Sequence, residues 1–140
     1  MTKLGRKTIL QTGTFIFIIS LLMVAIGFFV QNPDDEKVST ATSVLVMGGL
    51  IIFMADFGLS LGPIVWLYIP EIVEPQIIPF TTLSNWAAAA VVMFLYPILS
   101  NSLGSGPVFL FFGLWCLISF FINQKYVIET KGKIQKEIFE

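Results

Sequence analysis

The sequence predicts an all-α membrane protein with four transmembrane helices, and three observations carry that prediction. Hydrophobic residues make up 56% of the 140 residues and charged residues only 12%, with a mean hydropathy of +0.87; an ordinary soluble domain carries about 25% charge. The apolar residues gather into four runs, residues 8–30, 42–69, 77–99 and 107–126. At about 1.5 Å of rise per residue, each is long enough to cross a hydrocarbon core of about 30 Å or nearly so. The basic residues lie at the two ends, Lys3, Arg6 and Lys7 at the start and Lys125, Lys131, Lys133 and Lys136 at the finish, with only Lys37 between. Four spans put both ends on one side, and the positive-inside rule makes that side cytoplasmic.

The first run, residues 8–30, contains 23 residues and no charge. A basic start and the small residues Ala25 and Gly27 imitate a signal peptide, but a signal's apolar region is only about 7 to 15 residues long. Residues 31–39, with Pro33, Asp34, Asp35, Glu36 and Lys37, read as a polar extracytoplasmic loop. The second run holds Asp56 near its middle and then Gly58, Gly62, Pro63, Trp66, Tyr68, Pro70 and Glu71. Backbone groups freed by Gly or Pro at membrane depth are tolerated where neighbouring helices or a water-filled cavity satisfy them, and interrupted spans point to transport sites. The other reading of that stretch is a kinked packing helix with an interfacial Trp and Tyr.

The third run, residues 77–99, is bounded by Pro75 and Pro79 and contains Pro97 near its end. Residues 101–106 form a tight polar turn, and the fourth run, residues 107–126, follows it. Alanines 87–90, like Gly58 and Gly62, read as a small-residue surface for close helix approach. In the tail, residues 127–140, Ile134 and Ile138 fall four apart among charges, the pattern of a short amphipathic helix on the inner membrane surface.

Several functional classes are excluded. A net charge of −1 leaves no basic footprint for nucleic acid. One cysteine, Cys116, and no histidine rule out an internal disulfide, a Cys and His metal site and a His-based triad. Cys116 reads as a small apolar filler. Gly104-Ser105-Gly106 runs into Pro107 and lacks the third glycine of a dinucleotide-binding turn. The sequence therefore calls for no cofactor and no enzyme. Asp56 stands out, since a carboxylate at mid-membrane costs about 2.5 to 3.5 kcal/mol on insertion scales and so faces a cavity or carries a proton. It is a candidate proton site; the plainer reading is a protonated acid bonded to neighbouring backbone.

Four motifs in order carry a resemblance. Gly5-Arg6-Lys7 resembles the Gly-Arg-Arg/Lys motif before the ninth helix of the sugar porters of the major facilitator superfamily. Gly62-Pro63-Ile64-Val65-Trp66, with Glu71 five residues after the Trp, is similar to their tenth-helix signature. Ser84-Asn85-Trp86 resembles the polar residue plus Trp of the eleventh helix, and Val127-Ile128-Glu129-Thr130-Lys131-Gly132-Lys133 resembles the C-terminal Pro-Glu-Thr-Lys-Gly with Ile128 in place of the Pro. The four runs thus resemble helices nine to twelve of such a transporter.

What the resemblance implies is carried over position by position. Trp66 would stack on a pyranose face, Asn85 and Trp86 would supply an amide and an aromatic wall, and Phe57 would lie near the same cavity. Gly62 and Pro63 would be the gating break. Arg6 and Glu71 would belong to a cytoplasmic charge network; the stretch after Glu71 is shorter than usual and lacks its Arg, which leaves Arg6 or Lys7 as cationic partners. The types suit a sugar, whose hydroxyls need amides and whose C–H faces need aromatic rings.

The implied function is transport of a hexose-like monosaccharide by alternating access, in the plasma membrane, as part of a longer or assembled transporter. The implied partners are the sugar, the lipid bilayer, and either the missing N-terminal helices or a second copy. The alternative is a stand-alone four-helix membrane protein with a structural or interaction role, or a non-functional transporter fragment.

Overall fold

A computed structural model describes residues 5–31 and 38–130. Every regular element among them is helical: α1 (Arg6–Val30), α2 (Thr40–Asp56), a π-helical turn (Phe57–Leu61), α3 (Gly62–Ile72), α4 (Ile78–Leu103) and α5 (Ser105–Tyr126). The segments Arg6–Val30, Thr40–Ile72, Ile78–Leu103 and Ser105–Tyr126 are each long and apolar enough to cross a membrane. Lys3, the loop residues 32–37 and the tail residues 131–140, with the expected amphipathic helix at Ile134 and Ile138, lie outside the described residues.

The helices outrun the apolar runs at polar ends. The second span continues through Glu71 to Ile72, and α4 continues through Asn101 to Leu103. Hydropathy drops where the chain reaches the interface, whereas backbone hydrogen bonding carries the helix on. The six-residue turn expected at residues 101–106 therefore contracts to Gly104, whose φ of +85° lies in a region that side-chain-bearing residues avoid. Its N–H donates to the Ser100 carbonyl at 3.0 Å, and the Ser100 and Ser105 hydroxyls bond each other at 2.9 Å across it.

At the break in the second span, the Gly62 N–H reaches back five residues to the Phe57 carbonyl. Pro63 has no N–H, and its ring would collide with a carbonyl four residues earlier in a regular helix; one extra residue in the turn moves that carbonyl aside. Gly62 is needed there because a Cβ would lie 2.7 Å from the Phe57 oxygen.

α1 is the central helix, packed on one side against α2 and the π turn and on the other against α5. Between apolar helices in lipid no hydrophobic force selects a partner, so close approach at small residues decides. A Cβ at Gly49 would lie 2.7 Å from Val24 Cγ2 and 2.9 Å from the Ser20 carbonyl, and one at Gly27 would lie 2.8 Å from Val46 Cγ2. Gly13 admits the side chain of Ser60, whose hydroxyl donates to the Ile9 carbonyl at 3.1 Å. The rings of Phe17 and Phe53, with centroids 4.1 Å apart, fill the same α1–α2 seam. Phe28 stacks on Phe109 between α1 and α5, and Tyr96 meets Phe109 edge-on between α4 and α5. The buried hydroxyls of Thr14 and Ser20 are satisfied within their own helix, by Leu10 and Phe17 carbonyls at 2.7 Å each.

The small-residue surface expected at Gly58 and alanines 87–90 is not where the helices touch. Nothing lies within 4 Å of a Cβ built on Gly58, and all four alanines are exposed. α4 has no buried residue, so close approach falls instead to the glycines of α1 and α2.

Candidate functional site

Two groupings of side chains have the composition of a functional site. The first is a cavity of about 710 Å³ between α1, α2, the π turn, α4 and α5. Phe17, Phe53, Phe57 and Phe112 give it aromatic walls, while Asn85 and Tyr96 bring the polar groups from α4. Phe57, the first residue of the π turn, and Asn85, on the same side of α4 as alanines 88 and 89, both line it. The Asn85 amide makes no hydrogen bond among the described residues, so two N–H donors and a carbonyl acceptor are available to a ligand. Cys116 also lies on this wall, where the sequence suggests only an apolar filler.

Of the four residues implied to touch sugar, the structure brings together Phe57 and Asn85 but not the two tryptophans. Trp86 is 64% exposed and Trp66 44% exposed, and neither lines the cavity. Adjacent residues on a helix point about 100° apart, and Asn85 falls on the cavity side of α4 with Ala88, Ala89 and Val92, whereas Trp86 falls outside that side. Trp66 lies beyond the π turn, in α3, where Ile64 is the buried residue.

The second grouping lies at the end of the bundle where α1 begins and α3 and α5 end. Of the two cations that the sequence leaves for Glu71, Arg6 takes it: Arg6 Nη2 lies 3.0 Å from Glu71 Oε1. The Thr130 hydroxyl donates to Glu71 Oε2. The Lys7 ammonium turns instead to the Gln124 carbonyl at 3.0 Å.

Three residues here do more than the sequence suggests: Glu129 and Thr130, there only part of a motif, and Tyr68, there an interfacial ring. Glu129 accepts the backbone N–H groups of Arg6, at 2.8 Å, and Lys7, at 3.2 Å. The reason is legible in retrospect. α1 opens on Gly5, with no capping side chain, no acid in its first turn and two cations at the positive end of its dipole. Such a start needs an anion from elsewhere, and Gly5 makes room, since a Cβ there would collide with the Glu129 carboxylate. Tyr68 ties the same segment to α3: its hydroxyl accepts the Ile128 N–H and donates to the Ile128 carbonyl, both at 3.2 Å. Residues 127–130 thus bridge the start of α1 to the end of α3.

Asp56 belongs to neither grouping. It is buried, 7% exposed, with Oδ2 lacking a hydrogen-bond partner among the described residues. No group of three or more His, Cys, Asp or Glu among the described residues is placed to hold a metal ion.

Comparison with known proteins follows the same lines. The chain is 29% identical over 140 residues to the facilitated trehalose transporter Tret1 of Anopheles gambiae, covering 97% of this chain and 17% of that protein. It is 30% identical over 142 residues to a D-xylose transporter of Levilactobacillus brevis, covering 99% and 30%, and 31% identical over 134 residues to hexose transporter 1 of Plasmodium yoelii yoelii, covering 93% and 25%. The chain therefore spans less than a third of the length of these relatives. No solved structure matches it. The family profile described as "Sugar (and other) transporter" matches residues 1–140, and with its four apolar helices the chain is an integral multi-pass membrane protein that belongs to that family of the major facilitator superfamily.

Proposed function

We propose that this chain is part of a transporter that moves a hexose-like monosaccharide by alternating access, with no covalent chemistry. The observation that carries the reading is the cavity on which Phe57 and Asn85, from different helices, converge. An unpaired amide beside aromatic rings suits a ring with hydroxyls on its edge and C–H groups on its face. A cavity with so few polar groups supplies one wall only, and the rest of the hydroxyl contacts come from helices that these residues do not include. The exposed face of α4 fits association with such helices or with a second copy. The π turn at Gly62 and Pro63 is the joint at which the second span changes shape. The Arg6–Glu71 pair and the Glu129 bonds form a lock at the cytoplasmic end, where both termini lie, in a plasma-membrane protein.

The test is equilibrium sugar binding to a transporter that contains these residues. Asn85→Ala weakens binding by about 1 to 3 kcal/mol, the range for leaving ligand hydroxyls unpaired, and Phe57→Ala by about 0.5 to 1.5 kcal/mol. Trp86→Ala, off the cavity wall, leaves binding near wild type. Wild-type affinity in both Asn85→Ala and Phe57→Ala removes the cavity as the sugar site.

A further inference from the structure

The α1–α2 seam is read from four positions on the second span. Gly49 packs on Ser20 and Val24, Phe53 on Phe17, and Ser60 on Gly13 and the Ile9 carbonyl. Asp56 falls between Phe53 and Ser60 with the same three- and four-residue spacing, and it is buried. That spacing puts Asp56 on the seam side of the second span, at a level between the positions that meet Gly13 and Phe17, and its Oδ2 is buried without a hydrogen-bond partner among the described residues.

No cation faces it. The elements packed against α2 are α1 and the π turn. The π turn, Phe57 to Leu61, holds no titratable residue, and α1 carries charge only at Arg6 and Lys7, whose side chains are engaged by Glu71 and the Gln124 carbonyl. Those two lie about 10 Å away along α1, at about 1.5 Å per residue from Gly13. A lone buried carboxylate without a counter-ion is strongly disfavoured in such a place, and a neutral acid is not.

The next residue, Phe57, lies on the cavity wall and opens the π turn. A π turn is a single-residue insertion in a helix, and such bulges recur at functional sites. Shifting it by one position rotates the adjoining residues by about 100°, which is the angle between a residue that faces the seam and its neighbour that faces the cavity. Asp56 and Phe57 stand in that relation.

We propose that Asp56 is a proton-binding site coupled to the π turn. Its carboxyl holds a proton while seated in the α1–α2 seam, and gives it to water as the carboxyl rotates toward the cavity. The proposal rests on the transport reading for its purpose, since it names the proton as the coupled ion, but its physical content does not require a sugar. No bond other than O–H is made or broken.

The test uses the purified chain in lipid vesicles without sugar. The sequence has three aspartates, Asp34, Asp35 and Asp56. Carbon-13 labelling of their carboxyls therefore gives three signals, that of Asp56 being the one lost in Asp56→Asn. Through a pH titration, one signal is expected to stay protonated where the other two have ionised. Over the same pH range as its ionisation, the Gly62 amide, bonded to the Phe57 carbonyl, is expected to lose exchange protection, and Asp56→Asn is expected to abolish that loss. Three carboxyls ionising together overturn the proton site. A late-titrating Asp56 with unchanged Gly62 protection overturns the coupling to the turn. Circular dichroism of Asp56→Asn and Asp56→Glu checks that both fold; should neither fold, the wild-type titration alone decides. Because no sugar is present, a negative result leaves the sugar-binding test above untouched, and failure of that test leaves this one standing.

Discussion

Replacing Glu129 by Ala removes the acceptor of two backbone N–H groups at the start of α1, those of Arg6 at 2.8 Å and Lys7 at 3.2 Å. Loss of a capping side chain costs about 0.5 to 2 kcal/mol. The charge acts on the same N–H groups and on the helix dipole, a contribution of about 0.3 to 1 kcal/mol at an exposed helix end and up to about 2 kcal/mol when partly buried. The site is half-buried, and the two contributions overlap because they act through the same bonds, so the expected cost is about 2 kcal/mol rather than their sum. At tenfold for each 1.4 kcal/mol, that is about a 30-fold rise in local opening at the first turn. The assay is amide hydrogen exchange at Arg6 and Lys7, read by NMR on the chain in lipid vesicles. Glu129→Gln keeps the acceptor without the charge and is expected to lose about half as much. Amides deeper in α1, such as that of Ile18, are expected to be unchanged. Unaltered protection of Arg6 and Lys7 in Glu129→Ala would refute the capping argument, and so would equal losses along all of α1, which would mean general unfolding.

Further outcomes follow from the same geometry. Gly49→Val places a branched side chain where even a Cβ would lie 2.7 Å from Val24 and 2.9 Å from a backbone oxygen, and overpacking of this kind costs about 1 to 3 kcal/mol; unfolding in detergent should come earlier, whereas Gly58→Val, in open space, should leave it unchanged. The Arg6–Glu71 pair is about 30% exposed on each side, so an Arg6→Met, Glu71→Gln double-mutant cycle on stability should give only about 0.2 to 1 kcal/mol of coupling; a coupling several times larger would mean that the pair is shielded from solvent. With both termini cytoplasmic, an impermeant amine reagent on intact cells should modify Lys37 and spare Lys3 and Lys133, and the reverse pattern would invert the proposed orientation.

Much of this protein can be read along the chain. Composition alone establishes the membrane class, since 12% charge cannot clothe a soluble surface of this size. Run lengths give four spans, because the bilayer fixes how many apolar residues a crossing helix needs. Pro63 marks a disturbed turn where the π turn lies, because its missing N–H and its ring remove and crowd a regular helical hydrogen bond. Each of these conclusions depends on local covalent chemistry or on the solvent, and neither requires knowing which helix is beside which.

What touches what was decided only in the tertiary structure. The helices are apolar all round, so no stripe of hydrophobic residues marks an inner face as it would in water; in lipid, the meeting faces are those where a missing Cβ lets backbones approach. Gly49 and Gly27 are such places, and Gly58 and alanines 87–90, equally small, are not. The same ambiguity hid the Glu129 cap, whose carboxylate crosses 123 residues of sequence to reach the Arg6 amide. It also hid which of Asn85 and Trp86 lines the cavity, and the burial of Asp56. Sequence order names these residues as neighbours or strangers, but a 100° step per residue and one inserted residue at the π turn determine the directions in which they face.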